Sequence, residues 1–575
     1  MAPGAGEAGR GGGGWGRFVP MRTPPFRAAA LAALALVATA CGSSGGSSSS
    51  VTVTPATAAL APGATQAFSA TSTSGAASFT WSVAESGGGT VTAAGLYTAP
   101  ARSGTYHVVA TSTADPSQSG QATVTVSPAP ACTPNVPQPS ALPAAQVISL
   151  GVHTVGEVVT FTVPPGTGGL SILQQGAEPL QAMTYTYQGA TDDNTVVPLT
   201  VKVNGTTFYD DGYWPCAAGT TCDPSTWGGP NGLGSIYYAG ASAWTGTMTV
   251  PNTSQALSYV AQNGGVPAGT WAVTVNDRVT ECRGTPQCVV GSPGVTYPDA
   301  RYDLKVLLRP GTVGATGTMD VRFYLVTDQI TLAQAQAPGS PSQRMADTFR
   351  SVMAAAGITV GTLDFADAPA AVKARYASGV NADSSLPCTD IAAILSLAGP
   401  GNRMNLFLVN SLVSSQGPAG TTVVGVDGTI PGPSSVGGTL ASGALVSAAN
   451  LTSGCSGAVN FRTCGPDKTA YIAAHETGHF LGLYHVTEST GTLFDPVSDT
   501  ATCACSTCRP ASAPLQCYGN GVSISNAYAM TGANCTASTG CGGGDNLMFW
   551  VLSTASTGVL SAQQASILRA NALVQ

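Results

Sequence analysis

Three of the five histidines in this 575-residue chain fall within eleven positions, His475-Glu476-Thr477-Gly478-His479-Phe480-Leu481-Gly482-Leu483-Tyr484-His485. Residues i and i+4 share one face of a helix, so His475 and His479 aim two imidazoles at one place. Gly482 tolerates a positive φ, which ends the helix and turns the chain so that His485 supplies a third nitrogen. Three nitrogen ligands at about 2.0–2.1 Å leave one open position on a tetrahedral Zn2+, the arrangement of a catalytic rather than a structural ion. Glu476 is one of only seven glutamates and adjoins the first ligand. There it can accept a proton from activated water and pass it to a leaving amine. A buried histidine cluster, or a zinc site that binds without turnover, is the bland alternative.

Positioning these residues requires a helix over Thr469–His479, with Asp467 expected as its N-cap. The segment before it alternates strands and helices. Strands are expected over 320–326, 358–365, 404–409 and about 422–426, with helices over 340–356 and 391–397. That order implies an α/β domain with a mostly parallel sheet. Ser561-Ala562-Gln563-Gln564 is a capping-box pattern opening a last helix through Ile567, Leu568 and Leu573.

Composition sets the rest of the chain apart. Only 9% of residues are charged, against about 25% for an ordinary soluble domain. The 72 glycines and 39 prolines suit β-sandwiches joined by tight turns. The 43% hydrophobic fraction supports several cores, which excludes a disordered chain. A net charge of −7 without a basic run excludes nucleic-acid binding. Residues 51–127 alternate with the period of half-buried strands, as in Phe79-Thr80-Trp81-Ser82-Val83. A Pro-rich linker, 128–143, leads to a second β-rich region, 144–310. Clustered acids at Asp192 and Asp193 offer oxygen ligands for Ca2+, or form an ordinary turn.

His475 through His485 resembles the zinc-binding sequence of the metzincin metalloendopeptidases, and fits their pappalysin-type branch. The resemblance implies an α/β zincin domain over 311–575 that hydrolyses peptide bonds of proteins. It also implies a methionine turn beneath the zinc, and Asn546-Leu547-Met548 stands where that turn is required, Met548 supporting the ligands from below. Phe494-Asp495-Pro496-Val497-Ser498-Asp499-Thr500 is similar to an acidic stretch of that branch. Asp495 and Asp499 are candidates for Ca2+ or for capping turns. Trp550 stands where several metzincins place an oxyanion-stabilising tyrosine, which leaves that role to Tyr484, another group or the zinc alone.

Two further resemblances concern the other regions. Gly95-Leu96-Tyr97-Thr98-Ala99-Pro100 with Gly104-Thr105-Tyr106 resembles bacterial immunoglobulin-like domains of the intimin and invasin type. Pro267 to Asp277 is similar to a strand of jelly-roll domains that accompany secreted proteases. The expected fold class is therefore two β-sandwich domains followed by an α/β metzincin-like catalytic domain.

The N-terminal region reads as an export signal. Arg22 and Arg27 precede the apolar run Ala28–Thr39, which is shorter than the roughly 20 residues of a membrane span. Ala38-Thr39-Ala40-Cys41 resembles a bacterial lipobox, so residues 1–41 are expected to be a signal peptide read from Met21, with Cys41 lipidated. Residues 42–50 would be a Gly/Ser tether. Gly42 in place of Asp favours the outer membrane or cell surface. Fourteen cysteines besides Cys41 suit disulfides in an oxidising compartment. Five of them precede residue 310 and nine follow it, so full pairing needs a bridge between the regions, with Cys132 the candidate. The expected protein is a lipid-anchored, exported zinc endopeptidase acting on proteins or peptides. The competing readings are a surface adhesin with a silent zinc domain, and a removable propeptide over 144–310.

Overall fold

The structure is a computed structural model. It describes residues 50–575 apart from 61–64, 74–77, 86–87, 101–103, 127–145, 155, 177–185, 188–189, 192–194, 211–244, 279–280, 283–300, 383–389, 400, 415–421, 440, 490, 492–493, 510–516, 518–529, 537–540 and 553–554. Cys41, Cys132, Asp192 and Asp193 lie outside the described residues. The described residues divide into two compact units: those within 50–58, 66–97 and 106–124 form one, those within 59–65, 98–105 and 125–575 the other.

The first unit is built from short antiparallel strands. Val51–Thr54 pairs with Ser69–Ser72, and Phe79–Val83 pairs with residues 108–112. Every second side chain goes inward: Val108, Ala110, Ala122 and Val124 are fully buried. Tyr97 is buried with them and donates its hydroxyl proton to Gly88 O at 2.6 Å.

The second unit opens with two four-stranded antiparallel sheets. One runs in the order Gln146–Thr154, Arg301–Pro310, Thr167–Gly176, Thr245–Val250. The other runs Val158–Val163, Gly269–Arg278, Thr195–Val203, Thr206–Asp210. Their inner faces meet in one core, with Leu170, Ile172, Met248, Tyr302, Leu304 and Val306 on one side. Phe161, Val201, Trp271 and Val273 face them. Alternation explains the layer, and the Trp271 phrase is indeed a strand.

The first of these sheets is buried on its outer face as well. Ser171, Leu173, Gln175, Thr247, Thr249, Lys305 and Leu307 are nearly inaccessible. Leu173 and Leu307 cluster with Val436 and Ala572, from the last third of the chain. Arg309 Nε donates to Val574 O at 3.1 Å, and Ser254 N donates to Pro496 O at 3.0 Å. Region 144–310 thus shares a buried face with the α/β region.

That α/β region carries a five-stranded sheet in the order Ile358–Asp367, Gly317–Leu325, Met404–Val409, Ala444–Ser447, Gly425–Asp427. The first four strands are parallel and Gly425–Asp427 runs antiparallel at the edge. All six residues of Met404–Val409 are buried, as a central parallel strand covered on both faces requires. The strand Ala444–Ser447 had no counterpart in the pattern reading, and the expected strand near 422–426 is shorter and lies at 425–427. Helices Pro341–Ala355 and Gly465–Phe480 line the sheet, and Ala562–Ala570 closes the chain. The last helix begins with the expected capping box, Ser561 accepting from Gln564 N and Gln564 accepting from Ser561 N. Among the described residues no helix is long and apolar enough to cross a membrane.

Candidate metal centre

The helix Gly465–Phe480 carries the motif and is buried along nearly its whole length. Its N-cap is Cys464, not Asp467. Asp467 sits in the first turn, where a carboxylate still meets the positive helix end. Its Oδ1 accepts from Arg344 Nε at 2.9 Å and Thr348 Oγ1 at 2.9 Å; its Oδ2 accepts from Arg344 Nη2 at 2.8 Å and Asn460 N at 2.7 Å. Burial pushes this carboxyl up, but the Arg344 fork and these donors outweigh it and hold it below the usual carboxylate range. Asp467 therefore fixes the helix against Pro341–Ala355 rather than capping it.

The other end of the helix is closed by distant groups. Gly432 N donates to Phe480 O at 2.9 Å and Asn571 Nδ2 donates to Leu481 O at 3.2 Å, covering carbonyls that a helix terminus leaves unpaired. Gly482 has φ +114°, so the turn expected of it is present. His485 then returns toward the helix.

The three Nε2 atoms converge. His479 Nε2 is 3.1 Å from His475 Nε2 and 3.1 Å from His485 Nε2, and the third edge is 3.2 Å. Nitrogens bound tetrahedrally at about 2.0–2.1 Å lie about 3.3–3.4 Å apart, close to this triangle. The opposite ring nitrogens decide the tautomers. His475 Nδ1 donates to Leu547 O at 2.6 Å and His479 Nδ1 donates to Leu483 O at 2.8 Å. His485 Nδ1 lies 3.0 Å from Glu488 Oε2, outside hydrogen-bond geometry. With protons on Nδ1, His475 and His479 turn the lone pairs of their Nε2 atoms toward the point that His485 Nε2 also faces. Two neutral imidazoles fixed by carbonyl partners, with a third ring nitrogen converging on them, are what metal ligation needs. Burial, then His485, pushes the His475 imidazole down to about 3, and burial likewise holds His479 well below its ordinary value. The three residues are a group able to hold a metal ion.

Glu476 is 6% exposed, and burial raises its carboxyl to about 8. The edge strand passes directly over it: a Cβ on Gly425 would stand 2.1 Å from Glu476 Oε1. Asp427, two residues along and so on the same strand face, was not singled out by its sequence context. Burial, then the neighbouring Glu476, holds its carboxyl well above the usual range.

Met548 is fully buried and its Sδ packs against Gly478 of the motif helix. Trp550 donates its indole proton to Met530 O at 2.8 Å, so that proton is already committed. Asp495 and Asp499 spend their oxygens on protein donors. Asp495 meets Thr500 Oγ1 at 2.5 Å and Gln564 Nε2 at 3.1 Å; Asp499 accepts from Ser561 Oγ at 2.7 Å and Gln563 N at 2.9 Å. Asp499 thereby caps the final helix. The Leu483 and Leu547 carbonyls and Glu488 were not anticipated; only the i+3 spacing of Glu488 from His485 is a sequence signal.

Cys455 is bridged to Cys464 and Cys505 to Cys517. Cys503, Cys508, Cys535 and Cys541 gather four sulfurs at one place: Cys503 is at bonding distance from Cys541 and Cys508, and Cys508 Sγ is 2.9 Å from Cys535 Sγ and Cys541 Sγ. The segment between His485 and Met548 is therefore stapled by cysteines, as expected.

No family model and no curated protein matches the chain. Among solved structures it is similar to the Yersinia pseudotuberculosis adhesin InvE, at 15% identity and TM-score 0.13, over 40% of this chain and 51% of that one. It is also similar to the Bacteroides ovatus mixed-linkage glucan utilization locus protein SGBP-B in complex with a mixed-linkage heptasaccharide. There the identity is 10% and the TM-score 0.10, over 44% of this chain and 52% of that one. The chain thus spans about half the length of each, and at these TM-scores neither likeness carries an argument about fold or function.

Proposed function

We propose that this protein is an exported, zinc-dependent endopeptidase of the metzincin type, closest to the pappalysin branch. The observation that carries the reading is the convergence of three Nε2 atoms at 3.1–3.2 Å with Glu476 on the same helix and Met548 packed against that helix. His475, His479 and His485 would hold the ion. When bound, it supplies Lewis-acid polarisation of the scissile carbonyl and of the attacking water. Glu476 accepts the proton of that water on a carboxylate oxygen and returns it to the leaving amine nitrogen. Gly425–Asp427 is the last strand of its sheet and runs beside Glu476. An extended peptide can add to such an edge through main-chain hydrogen bonds, which suits a protein substrate. Export, with a lipid anchor at Cys41 on the outer membrane or cell surface, belongs to the same proposal and agrees with the disulfides.

The test is hydrolysis of a denatured protein mixture by the purified protein, with and without a zinc chelator, beside Glu476→Ala, with zinc counted in each. The expected result is chelator-sensitive cleavage, reduced about 10²-fold or more in a variant that keeps one zinc per chain. Full zinc with no cleavage by the unaltered protein would overturn the peptidase in favour of a surface binding protein.

A further inference from the structure

The capping-box glutamine of the last helix is placed unusually. Such a residue normally faces solvent, yet Gln564 is fully buried and both polar atoms of its amide are hydrogen-bonded. Oε1 accepts from Ser561 N at 3.0 Å and from Asn546 Nδ2 at 2.8 Å, while Nε2 donates to Asp495 Oδ2 at 3.1 Å. Asn546 continues the path. Its Oδ1 accepts from Met548 N at 2.8 Å, which closes the turn around Leu547. The Leu547 carbonyl at the apex of that turn is the acceptor for His475 Nδ1 at 2.6 Å. Tyr471 adds its hydroxyl to the carbonyls of Asn546 and Leu547 at 3.1 and 3.3 Å. Each link from Gln564 through Asn546 to His475 is buried, and each fixes the orientation of the next.

We infer that Gln564 is a positioning residue for the metal centre, acting through Asn546 and the Leu547 carbonyl to set the tautomer and orientation of His475. The inference rests on the histidine triad binding zinc, but not on peptide hydrolysis. Partners behind a ligand typically change metal affinity by about 10–100-fold when removed. Gln564→Met keeps the side-chain volume and deletes all three hydrogen bonds. Its expected effect is about tenfold weaker zinc binding, measured by chelator competition on the full chain. The melting temperature of the metal-free protein is recorded alongside, so that lost stability and lost affinity are separated.

Rescue distinguishes positioning from packing. In Gln564→Glu combined with Asp495→Asn, the amide and the acid exchange places. Residue 564 still accepts from Asn546 and Ser561, and residue 495 now donates to it. The paired variant is expected to bind zinc within about threefold of the unaltered protein, its affinity restored with the bonds. Folded Gln564→Met with zinc affinity within twofold of the unaltered protein overturns the inference. If Gln564→Met does not fold, the paired variant decides: tenfold weaker binding there overturns it as well. Failure of the unaltered protein to bind zinc would instead remove the metal-centre reading itself.

Discussion

Gly478 lies directly against Met548: a Cβ on this glycine would stand 2.5 Å from Met548 Sδ and 3.1 Å from its Cε. Glycine in a helix interior costs about 1 kcal/mol relative to alanine, so Gly478→Ala at an open position would stabilise. Here the clash opposes that gain, because the fully buried Met548 must shift to admit the methyl group. Overpacking of this kind costs about 1–3 kcal/mol. We expect Gly478→Ala to lower the melting temperature and to weaken zinc binding, with Met548→Ala in the same chain recovering part of both. Unchanged zinc affinity in Gly478→Ala would show that the methionine does not support the ligands.

A second contact separates turnover from metal binding. The Cβ of Gly425→Ala would meet Glu476 Oε1 at 2.1 Å and Cδ at 2.7 Å, and it lies on the edge strand rather than among the ligands. Displacing a catalytic group by about 1 Å can cost about 10²-fold in rate. The expected variant holds one zinc per chain and cleaves protein about 100-fold more slowly. Loss of zinc, or undiminished cleavage, would contradict this role for the glycine.

Asp467 predicts an acid-side weakness. Its carboxyl is held below its ordinary value, so the stability it confers is fully present above the unfolded pKa and is lost as pH falls through the lower, folded one. Removing one member of a buried, hydrogen-bonded pair costs about 3 kcal/mol. Denaturant titration of Asp467→Ala at neutral pH should show a loss of that order. The difference from the unaltered protein should shrink in strong acid.

Asp495 predicts the opposite limb. Asp495 is buried, with Thr500 Oγ1 and Gln564 Nε2 as the donors to its two oxygens. Burial pushes this carboxyl up to about 8, although Thr500 and Gln564 pull against it. A folded pKa raised above the unfolded value of about 3.9 confers stability that is whole below pH about 4 and lost as pH rises through about 8. Asp495→Asn mimics the protonated acid. Between pH 5 and 8 it should therefore flatten the decline in unfolding free energy, by up to about 1.4 kcal/mol per pH unit. An unaltered slope would mean that Asp495 is ionised in the native protein.

The local chemistry of this protein was legible in its sequence because it depends on short spacing. The i, i+4 histidines, the glutamate between them and the turn at Gly482 lie within eleven residues, where helix periodicity and one positive φ fix the geometry. The same holds for the Ser561–Gln564 capping box and for the strands at 358 and 404, the first alternating apolar with polar residues at its start and the second apolar but for Asn405. Asp467 was misplaced by three residues because a cap and a first-turn acid share one preference, and what separates them is tertiary, chiefly Arg344, 123 positions away.

What tertiary structure alone decided are the contacts between distant segments. No pattern in the chain marks Leu547 as the partner of His475, Gly425 as the roof over Glu476, or Gln564 as the hub behind Asn546. Nor does alternation show that the outer face of the 144–310 sheet is buried, since Thr249 and Lys305 are polar residues that would pass for exposed. The reason is physical. A backbone carbonyl carries no sequence signature, and a missing Cβ matters only when a second chain segment arrives within 3 Å of it.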